Sequence, residues 1–134
     1  MSASATARVR WRRVILIGIA AEFALILVII PVYFLPNRIA AINIAIVPAS
    51  FVVLLGFGYW AARRAPGQFA LHGLLTGVAA VLFYLVMPIV ASAFPGAPKP
   101  DFALLFSPAY LLAHTAKLVG ATLGGMLAGR AAHG

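Results

Sequence analysis

The stretch VILIGIAAEFALILVIIPVYFLPN, residues 14–37, decides the fold class of this chain. Glu22 is its single charged side chain, and the stretch exceeds the ~20 apolar residues that an α-helix needs to cross the hydrocarbon core of a bilayer. A charged side chain at the centre of a membrane helix costs ~2.5–3.5 kcal/mol on insertion scales. We therefore expect Glu22 to have a partner of opposite charge, a bound proton or a water-filled cavity.

The composition of the whole chain is typical of an integral membrane protein. Of its 134 residues, 64% are hydrophobic and 9% are charged, whereas about 25% of the residues of a soluble domain are charged. With Pro, Gly and charged residues taken as boundaries, we predict helices at about residues 14–35, 39–62, 69–94 and 108–129. The sequence thus predicts an all-α polytopic membrane protein in which residues 14–129 form a bundle of four transmembrane helices.

The basic residues predict how the chain lies in the membrane. The formal net charge is +8, and the arginines cluster at the start of the chain and after the second predicted helix. Because cytoplasmic segments are enriched in Lys and Arg, we predict that both termini are cytoplasmic in a plasma membrane of the bacterial inner type. The lipid bilayer, rather than nucleic acid, is the expected partner of this charge. The arginines expected to contact anionic headgroups are Arg8, Arg10, Arg12, Arg13, Arg63 and Arg64.

The two ends of the chain are expected to lie outside the bundle. Residues 1–13 are predicted to form a basic cytoplasmic segment, with residues 1–7 disordered, and residues 130–134 a cytoplasmic tail, disordered from residue 131. The first apolar stretch is longer than the ~7–15 residues of a signal-peptide core and lacks a cleavage motif. We therefore expect it to remain as a membrane span.

The loop before the last helix differs from the other connections. Residues 95–100 contain three prolines and cannot form a regular helix. Asp101 then occupies the position of an N-cap before a short apolar segment. We predict a short interfacial helix within residues 95–107 of an outer loop. It is either a simple linker or a lid over the mouth of the bundle.

Small residues recur at spacings of four along the third and fourth predicted helices. Such motifs allow the backbones of membrane helices to approach closely. They predict helix packing, either within the chain or between copies of it. The glycines concerned are Gly73, Gly77, Gly120, Gly124, Gly125 and Gly129.

Glu22 and Lys117 are the strongest functional candidates. From the ~1.5 Å rise per residue, they lie about 6 Å apart in depth, which a flexible lysine stem spans. Ser50 and Thr76 fall at similar depths, and His114 lies one helical turn from Lys117. Three interpretations are open: a structural ion pair, a neutral Glu22 hydrogen-bonded to a hydroxyl, or a proton- or cation-coupled site. His114 is either a proton relay or a packing donor.

The sequence lacks the motifs of the common enzyme classes. It has no cysteine, no nucleophile elbow, no phosphate-binding loop and no zinc-protease motif, so we predict neither enzymatic activity nor a metal or cofactor. Two function classes remain. The first is a helix-packing or accessory component, either a homo-oligomer or a subunit of a membrane complex with another membrane protein. The alternative is a small proton-coupled transporter that uses Glu22.

Overall fold

The computed structural model describes residues 8–134, and this part of the chain is helical. Four of its helices are long and apolar enough to cross a membrane, which confirms the predicted all-α architecture with four candidate spans. The elements are α1 (Trp11–Ile29), a 3₁₀ segment that continues it (Ile30–Phe34), α2 (Arg38–Ala62), α3 (Phe69–Ala91), a short α4 (Phe102–Leu105) and α5 (Pro108–His133). The candidate spans are α1 with its 3₁₀ segment, α2, α3 and α5.

The observed helices differ from the predicted ones mainly at their ends. α1 begins at Trp11, so Arg12 and Arg13 belong to the helix rather than to a segment before it. The first span tightens into the 3₁₀ segment at Pro31, whose ring nitrogen cannot donate a helical hydrogen bond. α3 ends at Ala91, and the Ser92 hydroxyl then donates to the Ile89 carbonyl. The disorder predicted for residues 1–7 falls outside the described residues.

The last helix runs further than the sequence predicts. Residues 130–133 continue α5 instead of forming a tail, and His133 Nδ1 lies 2.7 Å from the Gly129 carbonyl oxygen. Arg130 and His133 place basic side chains in the last turn, where they interact favourably with the negative end of the helix dipole.

The four long helices are arranged as a diamond in cross-section. α5 packs most extensively on α2 and also on α3, while α1 packs on α3 and α2. α2 and α3 touch across the short diagonal, so α1 and α5 face one another across the long diagonal. We call the end where α1 begins and α5 finishes the termini side, and the opposite end the loop side.

Glycines explain why α5 packs so closely on its neighbours. A Cβ atom added at Gly124 would overlap the Leu55 carbonyl oxygen of α2, and one added at Gly125 would overlap the Phe69 carbonyl oxygen of α3. The other predicted packing glycines also face residues of this same chain: Gly73 and Gly77 contact α5, Gly120 contacts α2 and Gly129 contacts Phe69. The predicted glycine motifs are therefore buried in contacts within the chain.

The core changes in character along the bundle. A cluster of small side chains with a single leucine lies in the middle of the bundle, comprising Ala21, Leu54, Ala80 and Ala121. A cluster with larger side chains lies towards the loop side, comprising Leu25, Ile29, Ile42, Ile46 and Ala113. Small residues permit close helix approach, so the first cluster allows the helices to approach more closely than the second.

The loop between α3 and α5 contains the short helix that the sequence predicts. Asp101 Oδ1 accepts a hydrogen bond from the Leu104 backbone N–H at 3.1 Å, which confirms its predicted role as an N-cap. Leu105 of α4 is buried, whereas Phe102, Leu104 and Phe106 are exposed. The loop thus presents apolar side chains on its outer surface.

Candidate functional site

The centre of the bundle contains an ion pair. Lys117 Nζ lies 2.6 Å from Glu22 Oε1, and both side chains are only 2% exposed. Within residues 8–134 it is the one ion pair between side chains. The attraction between two buried charges offsets the cost of removing them from water only at such short range. The pairing therefore explains why each of two apolar segments contains one charged residue.

The pair bridges the long diagonal of the bundle. Glu22 lies on the buried face of α1 beside the small residues Gly18 and Ala21, and Lys117 lies on the buried face of α5 beside Ala121. The backbones of α1 and α5 contact each other little. The long lysine stem therefore spans a gap that the helices leave open.

An aromatic ring completes the surroundings of the lysine ammonium. Lys117 Nζ lies 4.6 Å from the centroid of the Tyr84 ring, within the range of a cation–π interaction. Tyr84 stacks on Tyr110 at 5.9 Å and lies 5.1 Å from the imidazole of His114. The ammonium is thus held between a carboxylate and the face of a tyrosine.

A cavity of about 140 Å³ adjoins the ion pair. A water molecule needs only ~10–15 Å³ by such a measure, so the cavity is large enough for a small solute. Its polar wall is formed by Glu22, Lys117, His114, Tyr33, Tyr84 and Tyr110, and its apolar wall by Leu25, Ile26, Ile29, Ile46 and Ala113. Tyr33 and Tyr110 lie at the loop side, so the cavity extends from the middle of the bundle towards that end.

Several polar atoms at this depth are unsatisfied. Among the described residues, neither ring nitrogen of His114 has a hydrogen-bond partner, although the residue is only 8% exposed. Glu22 Oε1 meets the Lys117 ammonium without an aligned hydrogen bond. A buried polar group without a partner costs ~1–3 kcal/mol. The cavity wall therefore offers donors and acceptors to a guest.

The structure unites part of the site that the sequence predicts. Glu22, Lys117 and His114 line one cavity. Ser50 and Thr76 are fully buried at similar depth but do not line it. The Thr76 hydroxyl donates to the His72 carbonyl of its own helix at 2.8 Å, a local bond that threonine often forms in helices. Ser50 Oγ has no partner within the part of the chain described.

Two tyrosines of the site were missed by sequence reasoning, whereas Tyr84 was indicated by its position near the face of the third helix that carries His72 and Thr76. Tyr33 and Tyr110 lie in apolar segments and resemble the exposed aromatic residues around them. One signal was present: Tyr110, His114 and Lys117 follow one another at spacings of four and three, which places them on one face of α5. That face is the wall of the cavity.

A second polar cluster fixes the termini side of α1. The Arg13 guanidinium donates to the carbonyl oxygens of Ala61 at 3.0 Å and Trp60 at 2.6 Å, which lack helical partners at the end of α2. The buried His72 accepts a hydrogen bond from the Arg10 backbone N–H at 3.2 Å through Nε2, and its Nδ1 donates to the Gln68 carbonyl at 3.0 Å. This cluster ties α1 to both α2 and α3.

The arginines predicted to contact lipid thus divide into two groups. Arg13 directs its donors into the protein and is only partly exposed, because the end of α2 lies within its reach. The remaining five are exposed: Arg8, Arg10, Arg12, Arg63 and Arg64.

No family model matches the chain, and neither a curated protein nor a solved structure is significantly similar to it.

Proposed function

We propose that this chain is a small proton-coupled transporter and that Glu22 exchanges a proton for the solute. One observation carries the proposal: a buried ion pair forms the wall of a cavity that is also lined by His114, whose two ring nitrogens have no hydrogen-bond partner among the described residues. If the pair served only to hold the helices together, we would expect side chains to pack closely around it and leave no cavity. Ionisable residues inside membrane spans are costly and commonly mark ion or substrate pathways.

The mechanism follows from the charges. While Glu22 is ionised, its attraction to Lys117 holds α1 and α5 together across the long diagonal. A proton on Glu22 removes that attraction and frees the lysine ammonium. Because the backbones of α1 and α5 contact each other little, widening then has to separate only the apolar side chains around Leu25 and Ile29. Pro48 in α2 and Pro88 in α3 interrupt the helical hydrogen bonds, which gives the neighbouring helices points at which to bend.

The proposal includes an orientation in the membrane. We place both termini in the cytoplasm of a bacterial inner-type plasma membrane, because most of the arginines lie on the termini side. The five exposed arginines contact anionic headgroups there. The loop side, where the cavity ends between Tyr33 and Tyr110, then faces outward.

A second candidate is a packing or accessory component of a membrane assembly. The buried glycines no longer favour it, because their faces are occupied within the chain. A different observation does: an apolar groove of about 390 Å³ lies between α1 and α3 and is lined by residues such as Ile15, Ile19 and Leu82. We place the helix of another copy or of another membrane protein against it. A native mass of one chain in detergent would contradict the homo-oligomer.

The transport proposal is tested in proteoliposomes that enclose a pH-sensitive dye. Small cations, zwitterions and neutral solutes are added outside, and proton movement is recorded for the parent and for the double variant Glu22→Gln/Lys117→Met. We expect the double variant to retain the fold, since neither charge is left unpaired, and to lose all solute-driven proton movement.

The matched control is Thr115→Val, which removes an exposed hydroxyl from α5 away from the cavity and should keep the parent rate. A double variant that moves protons with a solute as fast as the parent would refute the proposal. Melting of each variant in the same lipid establishes that lost activity does not reflect lost fold.

A further inference from the structure

The ammonium group of Lys117 occupies a site with a definite chemistry. A carboxylate lies 2.6 Å from it on one side, and the face of the Tyr84 ring lies 4.6 Å from it on another. An anion together with an aromatic face is the combination by which proteins recognise ammonium cations. The chain therefore contains an ammonium-binding site that its own lysine fills.

The cavity beside this site is lined by groups that also suit an ammonium cation. The cavity continues from Lys117 along Tyr84 and Tyr110 to Tyr33, so tyrosine side chains border the way from the loop side to the carboxylate. The imidazole of His114, whose ring nitrogens have no partner within residues 8–134, is positioned to accept a hydrogen bond from a guest. An ammonium cation carries N–H groups that donate hydrogen bonds, which these side chains can accept.

An anionic guest fits the same wall poorly. While Glu22 is ionised, it matches the positive charge of Lys117, and the cavity lining adds no second cation. An anion would meet the carboxylate and the electron-rich ring faces, both of which repel it.

We infer that the cavity takes small primary ammonium cations, which bind to Glu22 and the Tyr84 ring in place of Lys117 Nζ. This inference rests on the proposed transport function and names the class of its solute. Entry of the cation displaces the lysine, whose ammonium gives up one proton to water, so that a single positive charge still faces Glu22 and no buried cation is left unpaired.

The experiment replaces the tethered ammonium by a free one. Lys117→Ala removes the atoms from Cγ to Nζ, and propylammonium supplies the same atoms. We expect the melting temperature of Lys117→Ala in lipid nanodiscs to rise with propylammonium in a saturable manner by about 3–6 °C, because a ligand that binds only the folded state stabilises it. If Lys117→Ala does not accumulate as folded protein, the readout is its folded yield when propylammonium is present during expression.

Three controls define the recognition. Propan-1-ol has the same length without the charge and should have no such effect. Lys99→Ala, which removes an exposed lysine, should not respond to propylammonium. The double variant Glu22→Gln/Lys117→Ala retains the space but lacks the carboxylate, and it should lose the response as well.

The outcomes separate this inference from the transport proposal. Failure of propylammonium to raise either the melting temperature or the folded yield of Lys117→Ala overturns the inference, and so does an equal effect of propan-1-ol. Restoration by propylammonium without any solute-driven proton movement through the parent supports the ammonium site and contradicts transport. Transport that depends on Glu22, without restoration, overturns the ammonium site alone.

Discussion

At the scale of single residues, the main constraint on the fold is one pair of buried, opposite charges, each of which needs the other as its partner. Glu22 and Lys117 are each 2% exposed, and either one alone would be an unpaired charge in the bundle. The penalty of breaking such a pair exceeds its net contribution, because the remaining partner stays buried. Removing one partner therefore lowers the stability of the fold by more than the intact pair contributes to it.

This asymmetry gives a prediction for stability. We expect Glu22→Gln and Lys117→Met each to lower the free energy of unfolding by about 3–5 kcal/mol. The double variant should recover most of that loss, because it leaves no orphaned charge. Thermal or denaturant unfolding of the parent and the three variants in one detergent measures this cycle. Four equal melting curves would show that the charges do not hold the fold.

Much of this residue pair could be predicted from the sequence, and the reasons are geometric. The helical rise places Glu22 and Lys117 at nearby depths, and hydrocarbon leaves each with a strong need for a partner. The aromatic part of the site could not be predicted in the same way. Tyr84 is as compatible with lipid as with a cavity, and only the packing of α1, α3 and α5 determines which surface it meets.

At the scale of the helices, α5 is the central element because its small residues face two neighbours. Gly124 meets the backbone of α2 and Gly125 the backbone of α3, while Ala121 approaches both Gly58 and Gly73. The sequence indicated packing by these glycines but left open whether the partner was the same chain or another copy. That choice depends on the relative positions of the helices, which a motif of four residues does not contain.

The packing of α5 gives a matched pair of variants. We expect Gly124→Leu to destabilise the bundle by ~1–3 kcal/mol or more, because its side chain would overlap the backbone of α2. Gly56→Leu adds the same atoms to α2, where a Cβ meets nothing within 4 Å, and it should be neutral or stabilising.

Melting temperature and native mass in detergent are measured together for these two variants. A Gly124→Leu protein with the melting temperature of the parent but a smaller native mass would assign the glycine to contact between copies, contrary to the packing described here.

At the scale of the whole molecule, the arrangement of charge gives the bundle two unlike ends. The termini side carries the exposed arginines and the hydrogen bonds of Arg13 and His72, whereas the loop side carries the apolar α4 and the far end of the cavity. The sequence predicted the four apolar helices well, since their length and composition suffice for that. It predicted their ends less well, because apolar composition alone does not mark where a helix stops: α3 ends at Ala91 although the largely apolar stretch continues to Phe94.

The proposed orientation is testable because the chain contains no cysteine. We expect Ala97→Cys to react with a membrane-impermeant maleimide added to intact cells, and Ala65→Cys to react only after the membrane is opened. Both alanines are partly exposed and lie in loops on opposite sides, so they form a matched pair. Labelling of Ala65→Cys in intact cells, with Ala97→Cys protected, would invert the orientation.

The hydrogen bonds of Arg13 and His72 fix the first helix at one end, so that a tilt of this helix would pivot about that end. They anchor α1 near its first turn, while its far end is held by the apolar packing of Leu25 and Ile29 and leads into the 3₁₀ segment. Measured along the helix from Arg13, Glu22 lies roughly 13 Å away and Tyr33 roughly 30 Å away. A tilt of α1 about its anchored end therefore moves Tyr33 roughly twice as far as Glu22, so a small separation at the carboxylate becomes a wider aperture at the loop side.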